Sequence, residues 1–176
     1  NALRPCEELD NIHSIYVDQW DWEKVMLESE RTTEYLHQTV ECIYKALKHT
    51  EYLLCEQYPV FSPFLPDKVH FMHAEELRME YPNLTPKERE HEICKKYGAV
   101  FIQGIGCALG DGTLHDTRSS DYDDWSTPTP DGFCGLNGDI LIYNPVLDSA
   151  FEISSMGIRV NPAALEKQLE ISGNME

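Results

Sequence analysis

The stretch GDILIYNPVLDSAFEISSMGIRV, residues 138–160, predicts two neighbouring antiparallel strands. The apolar run over residues 138–143 is typical of a buried strand, and an Asn-Pro pair ends it. The second strand follows over residues 150–160 and carries polar side chains at alternating positions. A tight turn between these strands would place the carboxylates of Asp139 and Glu152 near each other.

The remaining elements favour an α+β fold with an antiparallel sheet flanked by helices. Apolar residues at helical spacing predict a long helix over residues 30–58, which Pro59 ends. Shorter helices are predicted over residues 74–81, 86–96 and 162–171, and further strands over residues 12–23, 69–72 and 99–106. Because regular helices do not separate the strands, a doubly wound parallel sheet is disfavoured. The length of 176 residues suits one domain.

The composition excludes two classes of partner. A net charge of −17 opposes a nucleic-acid interface, which needs clustered Lys and Arg, but leaves room for a nucleotide ligand. No apolar run approaches the ~20 residues of a membrane helix.

The sequence shows no signal peptide and does not begin with Met, so we expect it to start within a longer protein or after processing.

Cysteine and histidine patterns predict no metal centre. No CxxC pair occurs, and most cysteines lie in apolar periodic segments, which predicts reduced, buried thiols in a cytosolic protein. His70 and His73 would point to opposite faces of a strand, so we interpret them as structural. The six cysteines are Cys6, Cys42, Cys55, Cys94, Cys107 and Cys134.

The acidic stretch DYDDWS, residues 121–126, is the first candidate for chemistry. Its three aspartates repel one another unless a cation or a substrate amine separates them. No folding requirement explains such a cluster, although a solvated acidic turn is the simpler alternative. We group this stretch with residues 151–159 and residues 4–23 as one predicted site.

The predicted strand over residues 12–23 supplies a second candidate. Its alternation places Gln19 and Asp21 on the face that begins with Ile15 and Val17. Polar residues on that face would suit the floor of a polar pocket. An edge strand whose polar end faces water explains the pattern equally well.

Five segments of the sequence resemble ammonia-dependent asparagine synthetase, also called aspartate–ammonia ligase. The resemblance covers essentially the whole chain in order, and its strings are long and unusual. The segments are ALRP (residues 2–5), HSIYVDQWDWE (13–23), DYDDWS (121–126), GLNGDI (135–140) and EISSMGIRV (152–160).

The resemblance implies a fold and a reaction. The family has the sheet of class II aminoacyl-tRNA synthetases and uses ATP with Mg²⁺ to convert the aspartate side chain into a β-aspartyl adenylate. Ammonia then displaces AMP to give asparagine. The resemblance also implies a cytoplasmic homodimer. Family members extend further at both ends, so we expect residues 1–176 to be the central part of the catalytic domain, incomplete at both ends.

The resemblance also assigns roles to single residues. Arg4 would hold the α-phosphate and Glu7 the adenine amino group, as in the second class II motif. Asp123 would meet the substrate ammonium group, or alternatively collect or deprotonate ammonium. The implied catalytic residues are Arg4, Asp123 and Arg159; the substrate-binding residues are Gln19, Asp21, Asp123 and Ser155; the nucleotide-binding residues are Arg4, Glu7, His13, Asp139, Glu152, Ser154 and Arg159; and the Mg²⁺ ligands are Asp139 and Glu152.

Two other functions remain open at this point. One is the catalytic core of an aspartyl- or asparaginyl-tRNA synthetase, which the net charge of −17 and the absence of a basic segment oppose. The other is a truncated, inactive relative that serves binding or dimerisation. The intact set of polar site residues opposes this second alternative, because a purely structural protein has no physical need for them.

Overall fold

A four-stranded mixed sheet forms the centre of the computed structural model, which describes residues 1–173. In chain order the strands are β1 (Ala2–Leu3), β2 (Tyr16–Val17), β3 (His70–His73), β4 (Ala99–Gln103), β5 (Asn137–Asn144) and β6 (Ser149–Gly157). The helices are α1 (Thr33–Gln57), α2 (Ala74–Glu80), α3 (Pro86–Tyr97) and α4 (Pro162–Ser172), and a 3₁₀ helix, Glu28–Glu30, precedes α1. The α+β class, the long helix and the predicted 138–160 hairpin are confirmed.

The central sheet runs in the order β3-β4-β5-β6. Strands β4, β5 and β6 pair antiparallel, but β3 and β4 pair in parallel, so the prediction of an antiparallel sheet is wrong for this pair. The physical reason is the connection between them. Helices α2 and α3 together provide the long crossover that two parallel strands require.

Helices cover both faces of this sheet. Helix α1 packs on one face, where Leu36 and Val40 meet Phe101 and Ile140. Helices α2 and α3 pack on the other face, against the alternate residues of the same strands. All five residues of β4 are therefore buried. None of the helices within residues 1–173 is long and apolar enough to cross a membrane.

Local capping explains where the helices begin and end. The Thr32 hydroxyl accepts a hydrogen bond from the Tyr35 amide at the start of α1. A capping box joins Thr85 to Glu88 at the start of α3. Asn161 caps α4, as predicted, and accepts a hydrogen bond from the Ala164 amide.

The predicted strand over residues 12–23 is mostly wrong. Only Tyr16–Val17 forms a strand, and it pairs with Ala2–Leu3 outside the central sheet. Residues 18–27 form no helix or strand in the structure, and Trp20 is 98% exposed. Alternation alone does not make a strand, because a strand also needs a neighbour that accepts and donates its backbone hydrogen bonds.

The prediction of six reduced, buried thiols is also wrong. Cys107 and Cys134 form a disulfide, with their Cα atoms 6.6 Å apart. Cys6 and Cys42 are exposed, whereas Cys94 is buried, and burial raises the pKa of its thiol to about 12. The sequence pattern could not pair Cys107 with Cys134, because only the fold brings their loops together.

The two histidines make the structural contacts that the sequence predicts. His70 stacks on Tyr97 with the ring centroids 3.7 Å apart. His73 caps α2, and its ring also hydrogen-bonds the carbonyl of Cys134 at 2.9 Å.

We expect Phe101→Ala to lower the free energy of unfolding by about 3–5 kcal/mol, because it leaves a cavity between α1 and the sheet. Phe61→Ala is the matched control. Phe61 is 61% exposed, so the same substitution should change the value by about 0.5 kcal/mol or less. Urea unfolding of both variants measures this difference, and equal losses would contradict the assigned core.

Candidate active site

A long connection between β4 and β5, which we call the acidic loop (residues 104–136), carries the DYDDWS stretch. Connections of this length without regular elements are uncommon in compact domains and are often functional. Two isolated antiparallel bridges fold it locally, Ala108 with Leu114 and Pro128 with Cys134. Its centre is then fixed by contacts to α4, to the chain after β6 and to Arg31 ahead of α1.

The three aspartates of this stretch have three different environments. Asp121 is exposed and accepts a hydrogen bond from the Ser119 hydroxyl. Asp123 is buried and faces Arg159. Asp124 is completely buried. The three carboxylates thus avoid mutual repulsion by meeting different partners, and the solvated-turn alternative describes Asp121 alone.

Asp124 anchors the acidic loop. One carboxylate oxygen accepts hydrogen bonds from the Ser126 and Thr127 amides at 3.1 and 2.9 Å. The other accepts from the Thr127 hydroxyl and from Arg31 Nη2, both at 2.6 Å. Because Arg31 also donates to the carbonyl of Arg159, this buried ion pair joins the start of α1 to the loop and to the chain after β6.

Gln168 of α4 holds the same loop from the other side. Its side chain is fully buried, and Oε1 accepts a hydrogen bond from the Trp125 amide at 2.9 Å. Its Nε2 donates to the carbonyls of Ser120 and Asp123, both at 3.0 Å. The sequence gives no signal for this role, because a glutamine in an amphipathic helix resembles any solvent-facing residue.

Asp123 and Arg159 form the first charged pair of the site. Their backbones make an antiparallel bridge, and Arg159 Nη1 donates to Asp123 Oδ1. The guanidinium also lies 3.4 Å above the Tyr122 ring and 3.3 Å from Glu23. Burial raises the pKa of Asp123, although the charge of Arg159 opposes that shift.

A glycine permits the close approach of this pair to the sheet. A Cβ atom at Gly157 would lie 2.9 Å from the Asp123 carboxyl carbon and 2.6 Å from Asn137 Cβ. A larger residue at this position would therefore displace Asp123 from the end of β6.

Asp139 and Arg118 form the second charged pair. Arg118 Nη2 donates to Asp139 Oδ1, and Asp139 lies opposite Ser155 across β5 and β6. Burial raises the pKa of Asp139 to about 6, the nearby Glu152 carboxylate acts in the same direction, and Arg118 opposes it. The predicted proximity of Asp139 and Glu152 is confirmed.

Arg118 is a site residue that the sequence reasoning missed. A signal was available, because Arg118 is the only Arg or Lys within residues 104–136. A single cation in an acidic connection is expected to find a carboxylate. In the structure Arg118 pairs with Asp139. The charge of Arg118 also opposes the rise that burial causes in the pKa of Asp123.

A cleft of about 1230 Å³ runs along the edge strand β6. Its walls are residues 18–28 and α1 on one side and residues 117–123 on the other. The predicted site residues that line it are Arg4, Gln19, Asp21, Asp123, Glu152, Ser154, Ser155 and Arg159. The cleft therefore unites segments that are widely separated in sequence.

Three predicted site residues do not line the cleft. Glu7 forms a 3.3 Å ion pair with Arg4, and His13 lies 2.8 Å from Asp10, so the nucleotide contacts predicted for both stay predictions. Their side chains are held by these local contacts in the connection between β1 and β2. Asp139 lies beneath the cleft wall, where Arg118 covers it.

The cleft combines cations and carboxylates in one concave surface. Arg118 and Arg159 each hold a carboxylate while facing the cleft, and Arg4 reaches it from the N-terminal hairpin. Guanidinium groups suit phosphate and carboxylate ligands, and the acidic residues suit an amine. Such a surface fits a ligand that carries both signs of charge.

One protein family matches the whole chain. A model of the family described as aspartate-ammonia ligase matches residues 1–176. This chain belongs to the aspartate–ammonia ligase family. The resemblance drawn from the five sequence segments is thereby confirmed, and the family match favours it over the tRNA synthetase alternative.

Curated members of the aspartate–ammonia ligase family are similar along almost the whole chain. The aspartate–ammonia ligase of Parabacteroides distasonis is 57% identical over 171 residues, which is 97% of this chain and 50% of that protein. The aspartate–ammonia ligase of Bacteroides thetaiotaomicron is 55% identical over 170 residues, 97% of this chain and 49% of that protein. The chain thus spans about half the length of these curated relatives.

We expect Asp124→Asn to lower the free energy of unfolding by about 3 kcal/mol, because it leaves the Arg31 guanidinium without its anionic partner. Asp121→Asn makes the same chemical change at an exposed carboxylate earlier in the same loop. It should lower the free energy of unfolding by about 0.5 kcal/mol or less. Urea unfolding measures both. Similar effects at the two positions would show that Asp124 is not an anchor.

The raised pKa of Asp139 predicts a pH dependence. In the folded protein the Asp139 carboxyl keeps its proton up to about pH 6, whereas in the unfolded chain it loses that proton at about pH 4. Stability from this group is therefore present at low pH and is lost as the pH rises through that window. Relative to Asp139→Asn, the wild-type free energy of unfolding should fall by roughly 2–3 kcal/mol between about pH 4 and pH 7. A difference that does not vary with pH would contradict the assignment.

Proposed function

We propose that the cleft along β6 belongs to the active site of an ATP-dependent ligase that converts aspartate and ammonia to asparagine. The reaction would pass through a β-aspartyl adenylate and release pyrophosphate and then AMP. The observation that carries the proposal is that three family segments, which contain Gln19, Asp123 and Arg159, meet in one cleft.

In the first step, a carboxylate oxygen of aspartate attacks the α-phosphorus of ATP and pyrophosphate leaves. Negative charge accumulates on the α-phosphate oxygens in the transition state. Arg4 and Arg159 are the guanidinium donors that we assign to this charge, because both line the cleft and bind oxygen pairs well. The 3.3 Å contact from Glu7 orients Arg4, and Glu7 stays the residue that we assign to the adenine amino group.

The aspartate substrate presents an ammonium group and an α-carboxylate. We assign Asp123 to the ammonium, with Gln19 and Asp21 completing the polar wall, and Ser155 to the substrate. In the second step, ammonia attacks the acyl carbon and AMP leaves. Ammonium must first lose a proton, and a carboxylate whose pKa burial has raised is a better proton acceptor. Deprotonation of ammonium is thus the alternative role of Asp123.

Asp139 and Glu152 fit a Mg²⁺ ion. The charge of Glu152 raises the pKa of Asp139, and a bound divalent cation would favour both ionised carboxylates. No group of three or more His, Cys, Asp or Glu side chains that could hold a metal occurs within residues 1–173. Mg²⁺ commonly takes one or two carboxylates and completes its shell with phosphate oxygens and water, and we assign these two carboxylates to it. Mg²⁺ would neutralise phosphate charge, while Arg118 holds Asp139 in place.

The remaining expectations concern the whole protein. We propose the class II synthetase-like sheet, which the antiparallel strands β4 to β6 support. A homodimer and a cytoplasmic location are proposed from family membership alone. The Cys107–Cys134 disulfide is unusual for a reducing compartment.

An assay of AMP and asparagine formation tests the function. A protein that carries residues 1–176 within the full length of the curated relatives, given ATP, Mg²⁺, aspartate and ammonium, should form the two products in equal amounts and form neither when aspartate is omitted. Arg159→Ala should lower the rate at least about 100-fold, because it removes a donor to developing phosphate charge. Arg78→Ala, which breaks only the ion pairs with Glu75 and Asp111, should leave the rate unchanged.

Two outcomes would overturn the proposal. Absence of both turnover and adenine-nucleotide binding would favour the inactive relative. Transfer of an amino acid to tRNA, without asparagine formation, would favour the tRNA synthetase core.

A further inference from the structure

The Cys107–Cys134 disulfide encloses almost the whole acidic loop. The two cysteines are separated by 27 positions, and Arg118, Asp123 and Asp124 lie between them. Cys107 follows β4 after a short turn, and Cys134 precedes β5. We propose that this pair is a thiol–disulfide modification site, a redox clasp that controls how firmly the acidic loop is held against the cleft.

Cys107 directly follows a glycine that packs against Arg118. The preceding residue, Gly106, packs so closely that a Cβ atom there would lie 2.9 Å from Arg118 Cβ and 3.0 Å from the Trp125 ring. Movement of the backbone at Cys107 therefore displaces the packing partner of both side chains. Arg118 is the residue that pairs with Asp139 below the cleft.

Cys134, near the other end of the acidic loop, directly precedes a glycine that packs beside Trp125. A Cβ atom at the following residue, Gly135, would lie 2.9 Å from Gly104 Cα and 3.5 Å from the Trp125 carbonyl oxygen. The Gly135 amide donates to the Thr127 carbonyl at 2.9 Å. Both cysteines thus adjoin a glycine that packs against Trp125, and the disulfide fixes the distance between these two supports.

The chemistry of the clasp is a two-electron exchange. Oxidation joins the two Sγ atoms and removes two protons and two electrons, which a disulfide such as oxidised glutathione accepts as it becomes two thiols. Reduction by a dithiol reverses both changes. Cys107 and Cys134 are both half-buried, so a small thiol reaches them more readily than it reaches the buried Cys94.

Reduction should loosen the loop without unfolding the protein. The buried pair of Asp124 with Arg31 and the hydrogen bonds of Gln168 remain after the disulfide opens. The cross-link limits the number of conformations that the open loop can adopt, so its loss favours local opening. Opening would separate Arg118 from Asp139 and Asp123 from Arg159.

Amide hydrogen exchange of the 176-residue chain tests the clasp directly. Residues 108–133 should exchange about tenfold faster after reduction with a phosphine than after oxidation with glutathione disulfide, whereas α1 and α3 should not change. In the double variant Cys107→Ser/Cys134→Ser, these residues should exchange at the rate of the reduced wild type, and adding the reductant should not change that rate. The matched control, Cys42→Ser/Cys55→Ser on α1, should respond to the reductant as the wild type does.

Two results would overturn the proposal. One is the absence of a cross-linked Cys107–Cys134 peptide from the digest of glutathione-oxidised protein. The other is equal exchange of residues 108–133 in oxidised and reduced wild type, which needs no variant to fold. Since both readouts are independent of turnover, failure of the ligase assay would leave this result unaffected.

Discussion

The carboxylate of Asp124 has no contact with water and joins parts of the chain that are far apart in sequence. It binds Arg31 ahead of α1 and the turn at Thr127, while the Asp124 backbone pairs with Leu136 and Ile158. A buried charge is tolerated only with a full set of partners, so the loss of any one of them would be costly. The position of Asp123 follows, because Asp123 adjoins Asp124 and its carbonyl accepts a hydrogen bond from Gln168.

The cleft depends on this anchor because no single element builds it. Strand β6 is the edge of the sheet, and its outer side is covered by exposed residues 18–28 and by the acidic loop. The chain carries a net charge of −17, so a nucleotide is repelled by most of the surface. Arg4, Arg118 and Arg159 line the cleft, so an anionic ligand finds three guanidinium groups there.

Both charged pairs of the cleft place a buried carboxylate beside an arginine. Burial raises the pKa of Asp123 and of Asp139, while the arginine partners oppose the shift. A carboxyl group balanced in this way changes protonation or partner when a ligand brings new charge. In the proposed clasp the disulfide acts on the Arg118–Asp139 pair through the packing of Gly106 against Arg118, so ligand charge and thiol redox state both affect one loop.

The sequence by itself determined the α+β class, the β5–β6 hairpin with Asp139 near Glu152, the helix caps and the family. These rest on local periodicity, turn residues and recognisable strings, which the chain carries whatever its tertiary structure. Only the tertiary structure decided that Arg118 pairs with Asp139, that Gln168 holds the acidic loop, that β3 joins the sheet in parallel, and that Cys107 bonds to Cys134. Each of these joins residues distant in sequence, and the partner of a polar or sulfur atom depends on which segments folding brings within a few ångströms of it.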